Sequence, residues 1–330
     1  MTTNSDELLS SDRTDGSEER EKQEYEGVSR VGWRYTLTQI RRDPTALTGL
    51  FIIGFMTAIA IFAYVDAKFL GYWFANTYWV NPANDPQVVN ALLPPVSAEN
   101  TFGTGTWKHP LGTDNRGRDI LVRLFYGTRI AIQVGFISTA FGLVGGALVG
   151  AVSGYYGGWV DDVLMRAVET LYAIPFLILV IAFMSVFGRN LIFAMIGVGI
   201  ASIPVFARLI RSRVLSVREE DYVEAARAAG VRDRNIILRH VIPNSFAPVL
   251  VQATLQVGLS IIIVAGLSFL GFGVQPPTPS WGQMLSQSRN YMLESLWFSL
   301  WPGLAILVTV VGFNLFGDGL RDALDPRIND

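Results

Sequence analysis

The sequence predicts an all-α polytopic membrane protein with six transmembrane helices. Three observations carry this: 50% of the 330 residues are hydrophobic, only 16% are charged, and six uncharged intervals are long enough to cross a bilayer. A helical crossing needs roughly 20 apolar residues. The intervals Asp43 to Asp66, Arg129 to Asp161, Glu169 to Arg189, Arg189 to Arg208, Arg239 to Arg289 and Glu294 to Asp318 enclose 22, 31, 19, 18, 49 and 23 uncharged residues. A soluble chain carries about a quarter charged residues, so this composition leaves too few to cover a globular surface.

Residues 1–27 form an acidic, polar tail with nine acids against three bases up to Glu26, which reads as disordered. It lacks the basic and then apolar pattern of a secretory signal. Residues 28–65 hold an amphipathic stretch and the first span. Trp33, Tyr35, Leu37 and Ile40 alternate with Arg30, Arg34, Arg41 and Arg42, as in a segment lying on a membrane surface, and the span covers about Thr45 to Val65. A long external loop, 66–128, follows, with Asn-Pro, Pro-Pro and several glycines interrupting any periodicity.

The second span falls within Ile130 to Ser153, where Gly135, Gly142, Gly145, Gly146, Gly150 and Gly154 sit at helical spacings that favour close helix packing. The third (about Thr170 to Phe187) contains Pro175 and the fourth (about Leu191 to Ala207) contains Pro204, so both helices are expected to kink. The fifth runs from about Ala247 to Leu270 and the sixth from about Phe298 to Phe316. These helices and a cytoplasmic loop, 208–243, make up a core over 129–317, with 318–330 as a cytoplasmic C-terminus. Fifteen Lys and Arg fall on one side of the membrane and eight on the other, six of the eight in the long loop or directly after it. The positive-inside rule then places both termini in the cytoplasm of a cell membrane.

Absences restrict the chemistry. There is no cysteine, and His109 and His240 lie too far apart for a His-Glu-x-x-His zinc helix. None of Lys22, Lys68 and Lys108 follows Gly or precedes Ser or Thr, so the chain has no phosphate-binding P-loop. Neither a catalytic nor a metal site is expected, and no nucleic-acid partner. Arg166 and Glu169, at i and i+3, read as a local ion pair rather than a proton relay.

Loop 208–243 reads as two short helices, Val217 to Ala229 and Asp233 to Val241, separated by a stop at Gly230 and closed by Pro243. Leu215, Tyr222, Ala225 or Ala226, and Ala229 fall near one face, where small side chains let another backbone approach. Such a helix-Gly-helix element can be pushed as a unit, or can be an ordinary solvated hairpin. The stretch Tyr222-Val-Glu-Ala-Ala-Arg-Ala-Ala-Gly230, followed by Pro243, resembles the "EAA" loop of ABC importer permeases. His240-Val-Ile-Pro-Asn244 departs from the broad family pattern and is similar to the peptide-type form. Leu267 to Leu285, His109 to Asp119 and Gly317 to Arg327 resemble the dipeptide, oligopeptide and nickel-type permeases, specifically their C-type subunit, so the likeness covers about residues 30 to 327.

The resemblance implies the type I importer permease fold and a non-enzymatic transport subunit. It implies a heterodimer with a homologous B-type permease, two ATPase subunits or domains that bind the ATP and Mg absent from this chain, and an extracytoplasmic substrate-binding protein. It assigns ATPase coupling to Asp221, Glu224, Ala225, Ala226, Gly230 and Pro243, and implies peptides as cargo, with nickel chelates or oligosaccharides as alternatives. Gln252, Gln256, Asn314 and Trp281 are candidates for the pathway or its gate. For Gln252, Gln256 and Asn314 packing is the competing role. His109 to Asp119 reads as a turn whose Arg and Asp residues pair locally, and Pro276 to Trp281 as a stiff external turn with Trp281 suited to the membrane interface. A self-contained secondary transporter is the rival reading, but it normally needs ionisable groups within its spans, and the proposed apolar cores hold none. A membrane-embedded hydrolase would need a nucleophile motif that is absent.

Overall fold

The computed structural model describes residues 33–78, 90–242 and 245–324. The acidic tail, the last six residues and Pro243 lie outside the described residues. Helix α1 (Trp33–Arg42) ends where Asp43 and Pro44 open α2 (Pro44–Phe69). Asp43 caps the new helix, accepting from the Thr45 N–H at 2.8 Å and its hydroxyl at 2.7 Å, while Pro44 takes the first-turn place where its missing N–H is not needed. The short α3 (Trp73–Tyr78) follows. Beyond the undescribed stretch, β1 (Glu99–Asn100) and β2 (Gly103–Thr104) form a small antiparallel hairpin.

Helix α4 (Ile120–Tyr156) begins ten residues before the expected span and extends past its end. Its 37 residues are over 50 Å long at 1.5 Å per residue, so it projects beyond the bilayer. The third span is not one kinked helix. It is α5 (Gly158–Ala173) and α6 (Phe176–Phe187), meeting at 92° across the extended pair Ile174 and Pro175. In contrast, α7 (Leu191–Arg218) continues through Pro204 without a break and runs eleven residues past the expected end. The hairpin expected to be cytoplasmic is α8 (Asp221–Ala228), then α9 (Asp233–Ile236) continuing as a π-helical turn over Ile237–Val241. The chain closes with α10 (Phe246–Phe269), α11 (Trp281–Ser288) and α12 (Leu296–Leu324).

Contacts along the helices give the direction of each crossing. A Cβ on Gly142, Gly146, Gly150 or Gly154 of α4 would meet Ser202, Phe206, Ala207 and Val214 of α7 in that order, at 2.4–2.9 Å. The two helices are therefore parallel neighbours with their backbones nearly touching, which only residues without side chains permit. Two parallel neighbours require a return crossing between them. Helix α6 provides it, packing antiparallel on α7 through Val180 and Phe183 against Gly197. Helix α2 packs antiparallel on α12, with Gly49 against Gly312 and Phe316 and Ala46 against Gly319. Helix α12 is in turn antiparallel to α10, Gly317 lying on Thr254 and Gly258 beside Val310. Among the described residues five helices are long and apolar enough to cross a membrane, six crossings with α5 and α6 as one broken span, and both ends of the described chain are on one face, Ala46 lying against Gly319. The core sits where α4 meets α7, α10 and α12, and a second apolar cluster of Tyr155, Phe206, Ile210, Val214, Val223, Ile236 and Val241 reaches into the hairpin.

Candidate coupling site and pathway residues

The hairpin after α7 is fastened on one side and open on the other. Val223, Ile236 and Val241 are buried against Val214, Ile210 and Phe206 at the end of the bundle. Asp221, Tyr222, Glu224, Ala225 and Ala229 remain exposed, and Ala226 is half-buried. Helix α8 is shorter than expected, starting at Asp221 because Val217 and Arg218 belong to α7. Asp221 and Glu224 then occupy its first turn, where carboxylates offset the positive helix end.

The helix stops as its sequence demands. Gly230 adopts φ +76°, its N–H donates to Arg227 O at 3.0 Å, and the Val231 N–H donates to Ala226 O at 3.1 Å. This pair of bonds is the Schellman motif, which consumes carbonyls the helix leaves free. Asp233 stands in the first turn of α9 rather than at its cap, and its carboxylate accepts from the Tyr155 hydroxyl at 2.6 Å. Arg227 lies 5.6 Å from the centre of the Tyr155 ring. The Tyr155 hydroxyl, and then the negative charge of Asp233, push that guanidinium up from its ordinary value, so it remains a cation. Arg218 donates to Gly154 O and Tyr155 O at 3.3 and 3.2 Å, closing the C-terminus of α4. Between these groups is a polar cleft of about 560 Å³ that Glu219 and Glu224 also line.

The broken third crossing is tied to the same region. At one end of α5, Asp161 accepts two bonds from Arg211 at 2.6 Å each and one from the Ser153 hydroxyl. At the other, the Tyr172 ring lies 3.8 Å from the Arg208 guanidinium. Both anchors are near the C-terminal end of α7, so α5 lies across the helix ends. Arg166 and Glu169, expected to pair, are both exposed and form no ion pair, because Asp161 is the acid that α7 engages. A bidentate pair 50 residues apart leaves no local signal in the sequence.

The pathway candidates separate once their surroundings are seen. Gln256 is buried, and its Nε2 donates to Ser202 Oγ at 2.9 Å, joining α10 to α7. Gln252 is half-buried one turn earlier, and Asn314 is exposed on α12 beside Gly258. Trp281 is not at a membrane interface. It is buried against Gly127, and its indole N–H donates to Leu124 O at 3.0 Å, strapping α11 to α4.

The outer motif forms the local pairs expected of it and reaches further. Asp114 accepts from Arg118 Nε at 2.6 Å and from the N–H groups of Arg116 and Arg118 at 2.8 and 2.9 Å. His109 Nδ1 lies 2.9 Å from Asp119 Oδ2. Arg118 bonds Gln287, and Arg123 bonds Gln283, so the outer segment is locked onto α11. Asp66, at the outer end of α2, is buried and accepts from the Tyr126 hydroxyl. Among the described residues no cluster of three or more His, Cys, Asp or Glu is placed to hold a metal. The hairpin is thus joined to the ends of α4 and α7 by apolar packing and by the bond between Tyr155 and Asp233.

Comparisons with known proteins agree. Residues 146–330 match the family of binding-protein-dependent transport system inner membrane components, and residues 33–95 match the N-terminal transmembrane domain of oligopeptide transport permease C. A dipeptide transport system permease protein of Alkalihalophilus pseudofirmus is 42% identical over 296 residues, covering 90% of each chain. A glutathione transport system permease protein of Pectobacterium atrosepticum is 42% identical over 242 residues, covering 72% of this chain and 80% of its own. The inward-facing MetNI methionine ABC transporter is similar in fold, with a TM-score of 0.52 at 20% identity over 62% of this chain and 98% of that one. The chain belongs to the binding-protein-dependent ABC importer permeases of the inner membrane.

Proposed function

We propose that this permease forms half of a peptide translocation pathway and is driven through the α8 hairpin by ATPase subunits. Its partners would be a homologous B-type permease, two ATPase subunits or domains holding ATP and Mg, and an external binding protein that delivers cargo. Both termini would be cytoplasmic, as the arginine asymmetry requires. Similarity to permeases named for dipeptide and glutathione transport supports peptides as the cargo class.

The observation that carries the coupling role is the hairpin's two-sidedness. Its apolar side chains are inserted among α4 and α7, while Asp221, Tyr222, Glu224 and Ala225 face outward. A push on the exposed face reaches Tyr155 through Asp233 and α7 through Val223 as a rigid displacement. Gly230→Asp and Glu224→Lys test it. The first strains a backbone at positive φ by about 1 kcal/mol, and the second reverses a first-turn charge worth about 0.3–1 kcal/mol. Both variants should insert normally yet lose co-purifying ATPase and peptide uptake. ATPase recovery and uptake both at wild-type level would remove the assignment. The cargo is read independently by mass spectrometry of the ligand carried by the cognate binding protein.

A further inference from the structure

On the face opposite the termini, α2 and α4 leave a cavity of about 260 Å³. Its walls are mostly aliphatic, with Ala60, Ile61 and Ile132, and its polar groups come from Thr57, Tyr64, Gln133 and Arg129. Arg129 is the one charge among them. Its Nε is buried without a hydrogen-bond partner, and among the described residues Arg129 enters no ion pair. It stands nine residues into α4, roughly 14 Å from the start of that helix. An arginine within a span is costly to insert unless something answers its charge.

No carboxylate lines the cavity. Asp66, the nearest acid along α2, is turned to Tyr126 and to the Phe74 N–H at 3.2 Å. The described residues supply no anion to Arg129. A free peptide would bring an ammonium as well, for which the walls offer no acid. The surrounding surface is lipid-like in its demands: α2 is the least buried of the long spans and exposes Phe55, Ile61, Tyr64 and Val65. Lys68, one turn beyond Tyr64, bonds the Tyr64 hydroxyl at 2.9 Å and so brings a second cation to a residue of the cavity wall.

We propose that this cavity is a binding site for an anionic phospholipid of the outer leaflet, with its phosphate on Arg129 and Lys68 and an acyl chain along Ile61 and Ile132. Basic pockets between transmembrane helices hold lipid head groups by the same pairing of charge with apolar walls. The site goes beyond the transport reading and does not depend on the cargo.

The test is native mass spectrometry of the full permease and ATPase complex, released from nanodiscs of equimolar phosphatidylglycerol and phosphatidylcholine. Wild type should retain phosphatidylglycerol over phosphatidylcholine by at least tenfold. Arg129→Gln should abolish that preference, and Arg189→Gln, whose guanidinium lies on the Phe272 ring, should keep it. Equal retention of the two lipids by wild type, or an unchanged preference in Arg129→Gln, overturns the proposal. So does loss of the lipid on adding saturating dipeptide, which would put Arg129 on the cargo route. Should Arg129→Gln fail to assemble, the wild-type preference and the peptide competition decide the matter alone.

Discussion

Replacing Gly150 with alanine probes the parallel seam that holds the bundle together. The new Cβ would sit 2.4 Å from Ala207 O, 3.0 Å from Arg211 N and 3.1 Å from Ile210 Cβ. A carbon beside a carbonyl oxygen rests at about 3.3–3.6 Å, so α4 and α7 must separate by about 1 Å. Backbone atoms block the methyl, and no rotamer change relieves them. Overpacking of this kind costs about 1–3 kcal/mol, and the better helix propensity of alanine returns about 1 kcal/mol. The net is a loss of up to about 2 kcal/mol. Gly303→Ala in α12 is the matched control, since its Cβ meets nothing within 4 Å and keeps only the propensity gain. The two variants should move apart by about 1–3 kcal/mol, which is a separation on the order of 5 °C in the melting midpoint. Thermal denaturation of the purified complex, followed by fluorescence-detected size exclusion, reads this difference. A Gly150→Ala midpoint at or above that of Gly303→Ala would refute the argument that backbone proximity, rather than small-residue composition alone, requires glycine here.

Two further substitutions test the ionic groups. Asp114→Ala strands Arg118 and Arg123, both buried, and should cost about 3–5 kcal/mol; trypsin cleavage at the outer segment should appear, and a resistant segment would contradict it. Asp161→Asn breaks the bidentate bond to Arg211 and should cost about 1–2 kcal/mol of a partly exposed, charge-assisted pair. Its ATPase should still bind while uptake per ATP hydrolysed falls, and unchanged coupling would show that the clamp on α5 does not take part.

Much of the architecture is legible without coordinates. Charge-free intervals locate the crossings, and the glycine spacing of the second span anticipates the seam with α7. Gly230 is recognisable as a helix stop because only its backbone conformation closes the Schellman bonds without strain. The boundaries are less legible, and for one reason. Asp119, Arg123 and Arg129 look like the limit of a span, yet α4 runs through both arginines, and Asp114 and Gln283 answer the charge of the buried Arg123. Pro175 and Pro204 are equally plain in the sequence and have opposite outcomes. At Pro175 the chain turns by 92°, α5 being pinned flat by Asp161 and Tyr172, whereas α7 is continuous through the buried Pro204 and packs on α4 to either side of it, at Ser202 and Phe206.

The sequence by itself determined which intervals are long and apolar enough to cross, which side its arginines favour and where the first helix of the hairpin stops. These follow from local quantities: hydrophobic length, charge position and backbone conformational freedom. The tertiary structure alone decided which polar groups face inward. Gln256 became a strut to Ser202, Trp281 a strap to Leu124, Asn314 an exposed group, and Arg129 a cation without a partner. The rotation of a helix about its own axis is set by neighbours dozens to hundreds of residues away, and six nearly uniform apolar helices carry little local amphipathic signal to record it.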